Sequence, residues 1–103
     1  MQLVVDLQEG FDGEDVLIRA PGVEPIRLAG LRTRMQTGLA HSLSIQLDGA
    51  AGGRTLSVVV PALALSQAVA LPVDVPAAWL GISLARERDA LELRIQDTPF
   101  GYV

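Results

Sequence analysis

Apolar residues occupy every second position in several segments of this chain. In residues 42–48 (SLSIQLD), Leu43, Ile45 and Leu47 alternate with serine, glutamine and aspartate. A helix requires apolar spacings of three and four, whereas a period of two places the apolar residues on one face of a strand. The same pattern predicts half-buried strands in residues 2–8, 31–36 and 91–97, and further strands in DVLIR, PIRL, TLSVVV and WLGISLA.

Segments rich in Gly, Pro and Asp separate these predicted strands. They are residues 9–15 (EGFDGED), 20–25 (APGVEP), 48–53 (DGAAGG) and 85–90 (ARERDA). Such residues favour chain reversals. About seven to nine short strands with frequent turns indicate an all-β fold, an antiparallel two-sheet sandwich that is immunoglobulin-like or similar. The length of 103 residues is that of one β-sandwich domain, residues 1–103.

Residues 61–72 (PALALSQAVALP) leave the type of element open. Their Ala and Leu content suits a helix that Pro61 would begin and Pro72 would end. Their apolar residues nevertheless alternate, and periodicity is the stronger signal. We therefore expect a strand from about Leu65 to Val73.

Composition narrows the class of partner and the compartment. The net charge is −4, which argues against nucleic acid and anionic membranes, because both attract clustered basic residues. All eight basic residues are arginine, which is typical of a GC-rich bacterial gene. No apolar run is long enough to span a membrane, and the first residues, MQLVVDLQEG, lack the basic region of a secretory signal. These observations predict a cytoplasmic protein with no membrane partner.

The residues that usually perform catalysis are scarce. There is no cysteine, and the one histidine, His41, precedes Ser42 on a predicted strand, where neighbouring side chains point to opposite faces. The glycine-flanked turn that exposes a nucleophilic serine is missing. GAAGGRT (residues 49–55) departs from the phosphate-loop spacing and precedes a strand, so it predicts a hairpin loop. We expect neither catalysis nor a cofactor.

Two charged features could bind a small ligand or an ion. Residues 9–15 contain Glu9, Asp12, Glu14 and Asp15, an acidic loop that could supply oxygen ligands to calcium, although solvated turns have the same composition. Residues 31–36 place Arg32 and Arg34 on one strand face. Arginine pairs bind carboxylate or phosphate, and they also form cross-strand pairs with acids, for which Glu92 and Asp48 are the candidates.

The few aromatic residues occupy unexpected positions. Trp79 is out of phase with the apolar set Leu80, Ile82 and Leu84, so it either faces outward, over Gly81 or in an interface, or plugs an end of the sandwich. Phe100 and Tyr102 lie in the closing segment TPFGYV. They predict either a lid over an open end or edge, with the Tyr102 hydroxyl wet, or a recognition peptide for a partner. A second copy of the chain could receive the lid.

The function favoured by these features is binding of protein. We predict a non-enzymatic interaction module, or a small accessory or structural subunit, whose partner is a second copy of the chain, as in a homodimer, or another subunit. The candidate contact residues are Trp79, Phe100, Tyr102, Arg32 and Arg34. The alternative is a ligand-binding or ion-binding domain that uses the acidic loop or the Arg32/Arg34 face.

Overall fold

The computed structural model describes residues 1–102 and contains eight strands. The strands are β1 (Gln2–Leu7), β2 (Asp12–Arg19), β3 (Ile26–Arg32), β4 (His41–Gln46), β5 (Thr55–Val60), β6 (Leu65–Ala70), β7 (Ala77–Ala85) and β8 (Ala90–Gln96). Short 3-10 turns occur at Gly49–Ala51, Pro61–Leu63 and Arg86–Arg88. Within the described residues, no helix has the length and apolar character needed to cross a membrane.

The strands form two four-stranded sheets. Sheet A has the order β4-β1-β7-β8, and sheet B has the order β3-β2-β5-β6. All neighbours are antiparallel except β1 and β7, which pair in parallel. The predicted all-β sandwich is confirmed, with one parallel pair at the centre of sheet A.

The core lies between the sheets and is almost entirely aliphatic. On β1 the alternate residues Leu3, Val5 and Leu7 are fully buried, and Leu80 and Ile82 of β7 lie beside them. Leu56, Val58 and Val60 of β5 and Ile18 of β2 close the core from sheet B. Burial of one such side chain contributes about 1.5–3 kcal/mol, so the alternation seen in the sequence supplies the main stabilising force.

Residues 61–72 combine a turn with a strand. Pro61–Leu63 is a single 3-10 turn, and it ends at Ala64 with a positive φ of 53°. The strand β6 begins at Leu65, as expected, and ends at Ala70 rather than Val73. The strand prediction is therefore confirmed, and the proline-initiated helix stops after one turn.

Three segments differ from their predicted course. Residues 9–15 are not all turn, because residues 12–15 already belong to β2. β3 unites PIRL with the beginning of residues 31–36 and ends at Arg32. The next residue, Thr33, turns to the β1–β2 connection, where its hydroxyl donates to Gln8 O and accepts from the Phe11 N–H. The loop after β4 is not a hairpin, since β4 belongs to sheet A and β5 to sheet B. It crosses between the sheets through the turn Gly49–Ala51, which the Asp48 carboxylate caps at the Ala50 N–H, 3.0 Å away.

The edge strands differ in charge. The edges of sheet A are β4 and β8, and those of sheet B are β3 and β6. β3 and β8 carry arginines or glutamate, whereas no charged residue occurs between Arg54 and Asp74, a stretch that includes β6. β6 pairs with β5 along its whole length without a register shift.

Candidate functional site

The outer face of sheet A carries the aromatic residue that the core excludes. Along β7, Leu80, Ile82 and Leu84 are buried against sheet B, so Trp79 and Gly81 point to the opposite side. Trp79 is half-buried there and lies opposite Gln96, the last residue of β8. The phase of β7 thus places Trp79 on the outer face rather than at an end of the sandwich.

The C-terminal segment, residues 97–102, leaves β8 and returns across this outer face. Phe100 lies over β7 at Gly81, where a methyl group added to the glycine would be 2.9 Å from the ring carbon Cζ. The Arg94 guanidinium lies 5.1 Å from the centroid of the same ring, within the range of a cation–π interaction. Gly81 therefore provides the space that the phenyl ring fills.

Beyond Phe100, the hydroxyl of Tyr102 enters a group of polar side chains. It donates a hydrogen bond to Asp6 Oδ2 at 2.6 Å and accepts one from Gln8 Nε2 at 3.0 Å. Asp6 Oδ1 accepts from Ser42 Oγ at 2.6 Å, and Gln8 Oε1 accepts from Ser83 Oγ at 3.3 Å. We call these four residues, Asp6, Gln8, Ser42 and Ser83, the polar seat.

The C-terminal segment buries part of this polar seat. Asp6 is 5% exposed and Gln8 is 7% exposed, although Asp6 points outward from sheet A. A buried carboxylate is costly unless hydrogen bonds satisfy it. Ser42 and Tyr102 each satisfy one oxygen of Asp6, so the tyrosine completes the hydrogen bonding of the seat.

The surroundings of Tyr102 change its acidity. Burial raises the pKa of Tyr102 to about 12, and the hydrogen bond to the Asp6 carboxylate adds to the rise, while Gln8 opposes it. Tyrosinate would lose the bond to Asp6 and repel its charge. The neutral phenol is therefore the form that docks.

The C-terminal segment covers the sandwich as predicted, but at another place than predicted, and the hydroxyl of Tyr102, a residue that is 38% exposed, is also bonded to protein. The aromatic residues cover the outer face of sheet A, not an open end or edge, and the Tyr102 hydroxyl is hydrogen-bonded. Within residues 1–102, no backbone hydrogen bond joins the C-terminal segment to the rest of the chain. The segment is held by side chains, chiefly those of Phe100 and Tyr102. An open cleft borders the same region and is lined in part by Gln8, Ser83, Phe100 and Tyr102.

Arg32 and Arg34 do not share a strand face. Arg32, the last residue of β3, pairs with Asp12 at 2.6 Å, and both side chains are exposed. Arg34 lies beyond the strand in an isolated β-bridge with Leu39, to whose carbonyl oxygen its backbone N–H donates. The proposed cross-strand acids lie elsewhere, since Glu92 pairs with Arg88 and Asp48 caps a turn.

The acids of residues 9–15 are engaged separately. Glu14 accepts from Arg86 Nη2 at 2.6 Å, and Asp15 accepts from the Gly30 N–H at 2.9 Å. Burial pushes the pKa of Glu14 upward, but the hydrogen bonds from the Asp12 N–H and from Arg86 outweigh it, so the pKa is lowered. Among residues 1–102, no three His, Cys, Asp or Glu side chains come together as metal ligands would.

The histidine and its neighbouring serine point in different directions. Ser42 bonds Asp6 on the outer face of sheet A. His41 is exposed and lies opposite Leu7, a residue of the core face. This serine–carboxylate pair therefore lacks the histidine that would transfer a proton in acyl transfer.

The fold and this surface together define a two-sheet β-sandwich whose outer face is covered by the chain's own aromatic C-terminal segment. No protein-family model matches the sequence, and no curated protein matches it significantly. Solved structures share the fold. The T6SS lipoprotein TssJ1 from Pseudomonas aeruginosa is 16% identical, with a TM-score of 0.62 over 96% of this chain and 98% of that one. A protein from Eubacterium rectale is 10% identical, with a TM-score of 0.54 over 98% and 92%.

The cytoplasmic location predicted from the first residues is wrong. A structural neighbour that covers nearly the whole chain is a lipoprotein, and acyl chains anchor proteins to membranes, which points away from the cytoplasm. The physical reason for the error lies in β1. Residues 2–7 form a central strand of sheet A, so their pattern reflects the core and carries no information about export.

Proposed function

We propose that this chain is a non-enzymatic protein-interaction module, a small accessory subunit that self-associates through the outer face of sheet A. The observation that carries the proposal is the aromatic surface formed by Trp79, Phe100 and Tyr102. Aromatic residues with one polar atom are favoured at interfaces because they bury much area and still satisfy a hydrogen bond.

The fold also supports a role in binding other proteins. The T6SS lipoprotein TssJ1, which has this fold, belongs by its name to a secretion apparatus. We propose that this chain likewise takes part in an assembly of proteins. Its net charge of −4 agrees with protein partners better than with nucleic acid.

The test is the oligomeric state in solution. Sedimentation equilibrium on the full chain should show a concentration-dependent dimer. Trp79→Ala should weaken dimerisation at least tenfold, which corresponds to about 1.4 kcal/mol. Met35→Ala is the matched control, since Met35 is 98% exposed in the turn after β3 and should change nothing.

A full chain that stays monomeric at every concentration would contradict self-association. Equal loss of dimer in Trp79→Ala and Met35→Ala would contradict the assignment of the surface.

A further inference from the structure

We propose that the polar seat binds the C-terminal segment of a second copy of this chain, so that two chains exchange their segments. This inference rests on the self-association proposed above and names the contact that produces it.

The attachment of the segment favours exchange. Within the described residues, side chains alone hold residues 97–102, without a backbone ladder that would have to be broken strand by strand. The contacts are the Phe100 ring over Gly81, the Arg94 guanidinium on that ring, the two hydrogen bonds of Tyr102, and a local hydrogen bond from Gln96 Nε2 to Thr98 O at 2.8 Å. Few interactions must therefore be broken before the segment can leave the sheet.

The seat is selective for what it holds. The space over Gly81 admits a ring, because a side chain at this position would collide with Phe100 and with the Gln8 amide. Beside it, Asp6 offers one carboxylate oxygen that Ser42 does not use. An aromatic residue followed two positions later by a hydroxyl donor satisfies both requirements, and a second copy supplies the same sequence.

Exchange preserves these contacts and gives Trp79 a partner. In an exchanged dimer each seat holds the same two aromatic residues, so the change in free energy comes from association and from new contacts at the crossing point. The crossing point is the end of β8, where Gln96 lies opposite Trp79. Two segments that cross there would cover the half-buried indole, which the closed monomer leaves partly exposed.

Two variants test the exchange, because one has an impaired docking surface with an intact C-terminal segment and the other has an intact docking surface without the aromatic segment. Gly81→Ala keeps the segment but fills the space over β7, and a chain ending at Pro99 keeps the seat but lacks Phe100 and Tyr102. Gly81→Ala should weaken docking within its own chain, because the added methyl group overlaps the Phe100 ring and the Gln8 amide, and the shortened chain has no aromatic segment to dock. When they are mixed, the segment of the first can enter the seat of the second only between chains.

Tyr102 is the sole tyrosine, so its ionisation reports docking. At pH 11 a free tyrosine is about nine-tenths ionised, because its pKa is about 10. The docked residue, with its pKa raised to about 12, stays about nine-tenths neutral. Tyrosinate absorbance at 295 nm of Gly81→Ala should therefore fall several-fold when an excess of the shortened chain is added, and sedimentation should show a heterodimer.

The controls keep the result decisive. Asp6→Ala, a second variant with an impaired seat, should behave like Gly81→Ala, and circular dichroism of each variant verifies its fold. A shortened chain that also carries Gly81→Ala should leave the absorbance unchanged. If the mixture shows no fall in absorbance and no heterodimer, exchange is wrong.

The proposed function is judged by a separate result. If the full chain dimerises but the mixture of the two variants shows no exchange, the dimer uses another interface. Self-association is then correct and segment exchange is wrong. If the full chain is monomeric and the mixture shows neither a fall in absorbance nor a heterodimer, self-association and segment exchange are both wrong.

Discussion

Gly10, between β1 and β2, is the glycine whose replacement we expect to be most damaging. Its φ is +90°, and a methyl group added there would lie 2.0 Å from the Leu84 carbonyl oxygen. The backbone cannot shift away freely, since Gln8 N–H donates to Ile82 O at 2.7 Å and Leu84 N–H donates to Glu9 O at 2.8 Å. The perturbation is Gly10→Ala.

The magnitude follows from three contributions. Holding alanine at a positive φ costs about 1–2 kcal/mol. Relieving the overlap adds about 1–3 kcal/mol, and loss of a hydrogen bond to Leu84 adds about 1 kcal/mol. We therefore expect Gly10→Ala to lower the free energy of unfolding by about 3–6 kcal/mol, a large share of the 5–15 kcal/mol typical of a domain.

Gly22 provides the matched control. Its φ is +71°, and a methyl group added there would have no atom within 4 Å. Gly22→Ala should therefore show only the backbone contribution of about 1–2 kcal/mol. The difference between the two variants isolates the collision with Leu84.

Urea denaturation followed by Trp79 fluorescence measures both variants, and circular dichroism shows whether the sheets unfold in the same transition. Equal slopes justify comparing the midpoints. If Gly10→Ala and Gly22→Ala lose the same free energy within about 0.5 kcal/mol, the close packing of the β1–β2 connection on β7 is refuted.

Three further predictions concern the site and its ion pairs. The pKa of Tyr102 is raised from its ordinary value of about 10 to about 12, so its contribution to stability is present below pH 10 and is lost as the pH rises through 12. Urea titrations at several pH values measure this loss. Tyr102→Phe should lower the free energy of unfolding by about 1–2 kcal/mol, because one Asp6 oxygen loses its hydrogen-bond donor. It should also abolish the loss of stability at alkaline pH. If that loss remains in Tyr102→Phe, another group causes it. Arg86→Ala should lower the free energy of unfolding by about 1–2 kcal/mol, because Arg86 bonds the largely buried Glu14 as well as a backbone carbonyl. Arg32→Ala, which breaks an exposed pair, should lower it by less than about 0.5 kcal/mol. Equal losses in urea denaturation would contradict this ranking of the two ion pairs by exposure.

The sequence predicts which face of each strand is buried better than it predicts which strands are neighbours. Period-two alternation gives the inward set Leu3, Val5 and Leu7 directly, because the core selects apolar side chains. The parallel pairing of β1 with β7 is not encoded in that alternation. It joins residues more than seventy positions apart, and a strand has the same pattern whichever neighbour it has.

The candidate site was found in part for the same reason. The phase of Trp79 against Leu80 shows its outward direction without any tertiary information. The partners of Tyr102 could not be found in this way, since Asp6 looks like an ordinary solvated residue of a half-buried strand. Asp is depleted in strands, so its place on β1, followed two residues later by Gln8, was the available signal.

The strand β6 has a consequence for association of the protein at high concentration. It is an edge of sheet B, so among residues 1–102 its outer side has no neighbouring strand, and the strand carries no charge that would repel another one. Pairing between this edge and a strand of another molecule would extend sheet B across molecules, and such edge-to-edge contact is a route to aggregation. A low protein concentration, or a partner that covers the β6 edge as soon as the chain has folded, would prevent such pairing.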